Sequence, residues 1–203
     1  MLKKLLLILL VSLLGGCINL GYNAQDPSRQ TYVLSDTLAV KPVLQISQPH
    51  TLLVEATRSN SYDDNQALVF SRAPHTRGHY QYAHWSELPS VRLGELLFNR
   101  LANANLYTAV VQADSDARAD LHLSTQLLAF YHDASSNPGQ VRIELRAELF
   151  DTLHHRLIAR RLFEQTFAVK NYNAAGAATA FNLATGALLN NLTTWLASTQ
   201  QNP

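Results

Sequence analysis

A strict alternation between Gly139 and Asp151 constrains the fold of this chain more than any other feature. Apolar residues occupy the odd positions: Val141, Ile143, Leu145, Ala147 and Leu149. Charged residues occupy the even positions: Arg142, Glu144, Arg146 and Glu148. Because successive side chains of a strand point to opposite faces, this pattern predicts a long strand with one dry and one wet face. The dry face needs a covering layer, which the rest of the chain must supply.

Two further long strands flank this one, at Asp120–His132 and Arg156–Val169. On the first, the residues predicted to share a face are Leu121, Leu123, Thr125, Leu127, Ala129 and Tyr131. On the second they are Leu157, Ala159, Phe163, Phe167 and Val169. Polar turn formers separate the strands at 133–138 and 151–155, so we expect an antiparallel meander.

The period changes from two to about 3.6 in two places, each of which predicts an amphipathic helix. In Val91–Asn105 the recurring apolar residues are Leu93, Leu96, Leu97, Leu101 and Ala104. In Ala174–Ala197 they are Ala177, Phe181, Ala184, Leu188, Leu192 and Trp195. Ser90 is placed to cap the first helix by accepting a backbone N–H. Gly186 lowers the helix propensity of the second by about 1 kcal/mol relative to alanine, which packing must offset.

Shorter strands are expected before the first helix, at Thr31–Ser35, Thr51–Arg58, Ala67–Arg72 and His79–His84. Strands followed by a helix, and then strands followed by a helix again, favour an α+β class. We therefore predict a single α+β domain over residues 31–203, with a mostly antiparallel sheet packed against two amphipathic helices.

The N-terminal residues have the pattern of an export signal. Lys3 and Lys4 precede an apolar run from Leu5 to Leu14, and Gly15 and Gly16 follow it. A charged start, a short apolar core and small residues before a cleavage point are typical of a secretory signal. The run is too short to span a bilayer, which takes about twenty apolar residues.

Cys17, the only cysteine of the chain, follows the two glycines. Leu14-Gly15-Gly16-Cys17 resembles the lipobox of bacterial lipoproteins, in which the cysteine is acylated and becomes the new N-terminus. We therefore predict a signal peptide at 1–16, a lipid anchor at Cys17, and an acylated N-terminus with a flexible tether at 17–30. In that class Ile18 and Asn19 after the cysteine imply the outer membrane of a Gram-negative cell. The alternatives are a secretory signal with an incidental cysteine and a signal-anchor helix.

The charge balance excludes one class of partner. The chain has 16 basic and 15 acidic residues. Without Lys3 and Lys4, 14 basic residues remain and the net charge becomes −1. A nearly neutral domain lacks the basic footprint of a nucleic-acid-binding protein, so we expect no nucleic-acid partner.

Residues that could carry chemistry do not form a recognisable constellation. His75, His79 and His84 lie close in sequence, but His79 and His84 have opposite strand parity, and His154 and His155 fall in a turn. Zinc needs three or four converging ligands, so we predict surface histidines and no metal site. The pair Asp63-Asp64 reads as a loop, with a calcium site as the alternative.

A nucleophile elbow, a phosphate loop and a His-Glu-x-x-His motif are all missing from the sequence. We therefore predict no catalytic residue and no cofactor, and favour a binding or assembly module over a periplasmic hydrolase. Tyr80, Tyr82 and Trp85 are expected to pack in or around the core, with an interface hot spot as the alternative. The charged face of Gly139–Asp151 is expected to be solvated, with a subunit interface as the alternative.

The ordered apolar and aromatic signals resemble the ABC-type transport auxiliary lipoproteins, the group that includes the paraquat-inducible (Pqi-type) lipoprotein. The matching segments are Thr31-Tyr32-Val33-Leu34, Tyr80-x-Tyr82-x-x-Trp85-x-x-x-Pro89, Leu93-x-x-Leu96-Leu97-x-x-x-Leu101, Asp120-Leu121-x-Leu123 and Trp195-Leu196. The resemblance covers nearly the whole mature chain. It implies a periplasmic lipoprotein that works with a mammalian-cell-entry (MCE) type substrate-binding protein and an ABC permease and ATPase.

The resulting hypothesis is a non-enzymatic accessory lipoprotein, held in the inner leaflet of the outer membrane through Cys17 and facing the periplasm. It would tether an MCE/ABC-type transport system for lipids or other hydrophobic compounds. A homo-oligomer, such as a ring, is left open. The alternative is a stand-alone envelope-biogenesis lipoprotein that binds a lipid or a glycan by itself.

Overall fold

The computed structural model describes residues 28–38 and 48–199 of the chain. These residues contain nine strands and two helices. The strands are β1 (Gln30–Tyr32), β2 (Gln48–Val54), β3 (Arg58–Ser59), β4 (Ala67–Ser71), β5 (Gly78–Trp85), β6 (Tyr107–Gln112), β7 (Leu121–Asp133), β8 (Gln140–Asp151) and β9 (Arg156–Ala168). The helices are α1 (Pro89–Asn103) and α2 (Ala174–Thr199). All nine strands belong to one sheet, so the fold is α+β, as predicted.

The predicted meander is confirmed. β7 pairs antiparallel with β8, and β8 pairs antiparallel with β9. The five odd-numbered apolar residues of β8 are all 2% exposed or less, whereas its even-numbered charged residues are half-buried or exposed. On β9, Phe163 packs against Trp195 of α2, so the dry face is the face that α2 covers.

A β-bulge changes which residues of β7 face the core. Leu127 is paired with Leu145 and Ala129 with Glu144, which leaves Leu128 as the extra residue. Beyond it the inward positions are Phe130 and His132, both at most 1% exposed. The predicted inward positions of Ala129 and Tyr131 are therefore wrong, because one inserted residue transfers the following side chains to the opposite face.

The inward face of β9 is only partly as predicted. Phe163 and Val169 are buried, but Leu157 and Phe167 are 39% and 37% exposed. β9 is the outermost strand of the meander, and its register shifts at the start, between the pairs Leu149–Ala159 and Phe150–Leu157. The bulge transfers Leu157 to the face of Phe150, whereas Phe167 is exposed on a strand with a described neighbour on one side only.

The sheet is mixed, so the prediction of a mostly antiparallel sheet is confirmed only in part. Along the edge of β7 that faces away from β8 lie β2, β3 and β4 in succession, each parallel to β7. β6 is also parallel to β2, and β1 is parallel to β5. The strand β6 was not predicted from the sequence. It follows α1, and a helical crossover returns the chain parallel to an earlier strand.

The ends of α1 are fixed differently from the prediction. Ser90 does not cap the helix; the carboxylate of Asp64 accepts both the Ser90 N–H (2.8 Å) and the Ser90 hydroxyl (2.7 Å). At the other end Asn105 has a φ of 53°, the left-handed conformation that commonly terminates a helix. The predicted inward residues of α1 are buried.

Helix α2 covers the dry face of the meander with the side chains that the sequence predicted. Its six predicted inward residues are 7% exposed or less, and the helix carries no charged residue. Gly186 is required by a close approach, because a Cβ there would lie 2.7 Å from Leu38 Cγ. Residues 36–38 pack directly against α2 at Gly186, and this contact offsets the low helix propensity of glycine.

Candidate functional site

The chain enters the sheet at its edge, at the end where α2 begins. Cys17 and most of the predicted tether lie outside the described residues. Gln30 in β1 is paired with Ala83 of β5. Together with Ser28, Tyr82 and Ala174 these residues line an open cleft of about 410 Å³. A tether that leads to an acylated Cys17 would therefore leave the domain from this end.

The aromatic cluster before α1 divides into core and surface. Trp85 is 4% exposed and contacts Phe130 and Phe181 edge-to-face, with ring centroids 5.7 and 5.5 Å away. Tyr80 is half-buried, whereas Tyr82 is 43% exposed beside the chain entrance. Trp85 is thus a core residue, and Tyr82 is the member that a partner can reach.

His132 is a fully buried histidine that the sequence reasoning missed. Its Nδ1 lies 2.8 Å from the Tyr80 hydroxyl and its Nε2 lies 2.9 Å from the Pro138 carbonyl oxygen. The carbonyl can only accept, so Nε2 carries the proton and Nδ1 accepts from Tyr80. Burial lowers the pKa of His132, and it outweighs the opposing effects of the Pro138 carbonyl and of Asp133. The bulge at Leu128, which the sequence does not reveal, is what brings His132 into the core.

This histidine makes stability depend on pH in a defined direction. Unfolded histidine takes up a proton below about pH 6.5, whereas folded His132 does so only at a lower pH. The free energy of unfolding is therefore expected to be retained above pH 6.5 and to decrease as the pH falls toward the folded pKa. Urea unfolding at a series of pH values measures this slope.

His132→Gln should reduce this loss of stability below about pH 6.5, because it removes the titrating group. His79→Gln is the matched control, since His79 is exposed and stacks on Tyr62 at 5.3 Å. An unchanged slope in His132→Gln would contradict the assignment.

A buried ion pair fixes the segment after β1, residues 34–38, to both helices; we call this segment the strap. Asp36 forms a bidentate pair with Arg100 of α1, and the two side chains are 16% and 1% exposed. Arg100 also donates to the carbonyl of Leu38 (2.9 Å) and to Asn190 of α2. One guanidinium thus joins the strap, α1 and α2. The sequence did carry a signal for it, since position 100 lies on the apolar stripe of α1.

The face of the meander opposite the helices is covered by neither helix, although the Arg77 guanidinium lies over the Tyr131 ring on it, 3.8 Å from the ring centroid. We call it the open sheet face, and it comprises Gln126, Tyr131, Arg142, Glu144, Arg146, Glu148, Arg160, Leu162 and Glu164. Its charges are paired: Arg142 with Glu144 and Arg160 with Glu148, each at 2.5 Å. Arg146 donates to the side-chain oxygen of Gln126 at 3.3 Å and is exposed. The face is polar and preorganised, with apolar Leu162 at its margin.

The residues considered for metal binding or catalysis lie apart. Asp63 is paired with Arg77 (2.6 Å), whereas Asp64 binds Ser90. His154 contacts Asp151 (2.7 Å) in the turn between β8 and β9. Within residues 28–38 and 48–199, no group of three histidine, cysteine or acidic side chains is placed to hold a metal ion. Over the same residues, no helix combines the length and apolar character needed to cross a membrane.

Two further surface clefts lie on other parts of the domain. One, of about 320 Å³, lies between α1 and β2 and is lined by Val54, Val91 and Phe98. The other, of about 510 Å³, is lined by Leu53, His122 and Phe150. The buried side chains of β8 and α2 line neither cleft.

Solved structures with the same fold come from other bacterial proteins. Protein XCC0632 from Xanthomonas campestris superimposes with a TM-score of 0.76 at 22% identity, over 85% of this chain and 97% of that one. The hypothetical protein CT253 from Chlamydia trachomatis gives a TM-score of 0.51 at 10% identity, over 75% of this chain and 99% of that one. At these identities the similarity establishes the fold alone. A comparison with curated proteins finds no match.

The comparison with protein families is more informative. The model of the ABC-type transport auxiliary lipoprotein component matches residues 32–193. The match begins in β1 and ends in α2, so it includes both helices, the strap and the whole meander. The chain therefore belongs to the ABC-type transport auxiliary lipoprotein family.

Proposed function

We propose that this chain is an outer-membrane-anchored periplasmic accessory lipoprotein of an MCE/ABC-type transport system for lipids or other hydrophobic compounds. In this proposal residues 1–16 are removed, Cys17 is acylated, residues 17–30 form a tether, and residues 31–203 form one docking domain. The chain acts without catalysis, by tethering and protein–protein contact. The energy for transport comes from the partner ATPase.

The observation that carries the proposal is the open sheet face in a member of a transport auxiliary family. Helices α1 and α2 pack against the dry face of the sheet, whereas the charges of β8 face outward in a fixed arrangement. Paired polar groups on a rigid sheet favour specificity of association over raw affinity. This arrangement suits a docking surface for a protein of complementary charge.

In this proposal the lipid anchor and the tether hold the docking surface near the membrane. One acyl chain gives marginal membrane binding, whereas two or more give stable anchoring, so a multiply acylated Cys17 suffices. A coil-like tether of about a dozen residues reaches roughly 20 Å. The domain can therefore meet a partner close to the membrane while remaining attached to it.

Affinity purification of the native lipoprotein from envelope membranes tests this function. We expect an MCE-type protein and an ABC permease to co-purify under conditions that keep membrane complexes intact. Arg146→Glu, on the open sheet face, should reduce their recovery. Arg118→Glu is the control, because Arg118 is exposed but lies outside this face. Recovery of neither component would refute the transport role.

A further inference from the structure

Strand β9 ends the sheet with an unpaired edge. It is 13 residues long and pairs with β8 on one side only. Among the described residues, no strand pairs with its other side. A long edge strand presents a row of free backbone N–H and C=O groups, which is a template for pairing with another chain.

Exposed apolar side chains are concentrated on the same strand. Leu157, Ile158, Leu162 and Phe167 are 39%, 37%, 46% and 37% exposed. Edge strands that stay unpaired are usually short or protected by charges or bulges. β9 is bulged only at its beginning, and its centre around Leu162 is regular. The charges around Leu162 (Arg160, Arg161 and Glu164) are of both signs, so a second copy of the strand could pair with them.

The charges of β9 select one way of pairing it with a second copy of itself. In an antiparallel pair related by a two-fold axis, opposed side chains lie on the same face, so they must have the same parity. Arg161 therefore cannot oppose Glu164. A register centred on Arg160 would place Arg160 against its own copy, which is unfavourable. Pairing Arg160 with Glu164 places Leu162 on the axis and opposes no like charges.

We propose that β9 is the interface of a two-fold symmetric homodimer, in which it pairs antiparallel with β9 of a second copy, centred on Leu162. Each dimer then contains two Arg160–Glu164 pairs and one Leu162–Leu162 contact. The two sheets join into one, with α2 of both copies on the same side. This inference does not depend on the transport role.

The surroundings of Glu164 support the proposed register. Within its own chain Glu164 lies directly opposite Glu144, and the nearest paired cation is Arg142 at 3.9 Å. Like charges placed opposite each other on neighbouring strands are destabilising. Arg160 of the second copy would supply the missing positive charge. The Arg160 side chain is 60% exposed although it contacts Glu148, so it remains within reach of a partner.

Two charge reversals test the register. Glu164→Arg would oppose Arg160 with arginine twice in each dimer, and Arg160→Glu would oppose Glu164 with glutamate twice. Each variant alone is expected to dimerise about tenfold more weakly than the parent, because each repulsion occurs twice. An equimolar mixture is expected to form the heterodimer with parental affinity, since every opposed pair is then of opposite charge.

Sedimentation velocity of the full acylated chain in detergent measures the affinities, and native mass spectrometry identifies the heterodimer. Dimers of both single variants that are as stable as the parent would overturn the proposal. A mixture that remains monomeric while the parent dimerises would overturn the register. A monomeric parent would overturn the interface itself.

Oxidative crosslinking is an independent test. Leu162→Cys should give a covalent dimer, because the axis brings the two positions opposite each other, with Cβ atoms about 5 Å apart. Leu153→Cys is the matched control, since Leu153 is 79% exposed in the turn between β8 and β9 and lies away from the axis. Equal crosslinking of the two variants would contradict the interface.

Discussion

Cys17→Ala is expected to transfer the chain from the membrane fraction to the soluble fraction almost completely. Acyl chains on Cys17 are the membrane contact that the proposed function requires, and their removal leaves a near-neutral domain. No described helix is suited to cross a membrane. Sedimentation of cell envelopes followed by immunodetection measures the distribution.

The variant needs a leader that is removed without acylation. Otherwise the apolar run Leu5–Leu14 could stay attached and hold the chain at the membrane by itself. Circular dichroism should show an unchanged fold, because Cys17 precedes the family match that starts at residue 32. A Cys17→Ala chain that remains fully membrane-bound in the absence of partners would contradict the anchoring argument.

Asp36→Ala is expected to be the most destabilising of the substitutions considered for the folded domain. It leaves the Arg100 guanidinium, which is 1% exposed, without its carboxylate. Removing one partner of a buried ion pair typically costs about 3–5 kcal/mol, a large share of a domain's total stability. Urea unfolding followed by fluorescence of Trp85 and Trp195 measures the loss.

Glu95→Ala is the matched control, because Glu95 pairs with Arg92 on the exposed side of the same helix. It should cost less than about 1 kcal/mol. Asp36→Ala combined with Arg100→Met should recover much of the loss, because no unpaired charge is then buried. Equal costs for Asp36→Ala and Glu95→Ala would mean that the strap is not held by this pair.

Local periodicity predicted the parts of the fold whose pattern is long and unbroken. The odd-numbered residues of β8 and the six inward residues of α2 are buried as expected, because their alternation or helical spacing persists over many residues. The bulge at Leu128 could not be predicted in this way. Leu127, Leu128 and Ala129 are all apolar, so the sequence does not show where the register changes.

Contacts between residues that are distant in the sequence were also not predicted. The parallel arrangement of β2, β3 and β4 along β7 depends on long-range pairing, which no local pattern records. Asp64 replaces Ser90 as the cap of α1 because the loop of Asp64 reaches the helix in space. Arg100 did give a signal, as a charge on an apolar stripe, but the sequence does not name Asp36 as its partner.

Of the candidate site, the family was predicted correctly from the sequence and the lipid anchor at Cys17 stays a prediction, whereas the surfaces were not predicted. The even-numbered charges of β8 were expected to face solvent, and they do. That they form a face uncovered by both helices follows only from the topology of the sheet. The exposed edge of β9 likewise depends on its outermost position, which its apolar sequence did not reveal.

If this chain is an anchored docking element for ATP-driven transport, as we propose, it should support transfer of a labelled lipid between two vesicle populations. One population carries the acylated chain, and the other carries the permease complex that co-purifies with it and a labelled phospholipid. We expect ATP-dependent transfer of the label with the acylated chain and near-background transfer with Cys17→Ala. Transfer that is equally fast with and without the anchored chain, or that the chain performs alone without ATP, would contradict the proposal.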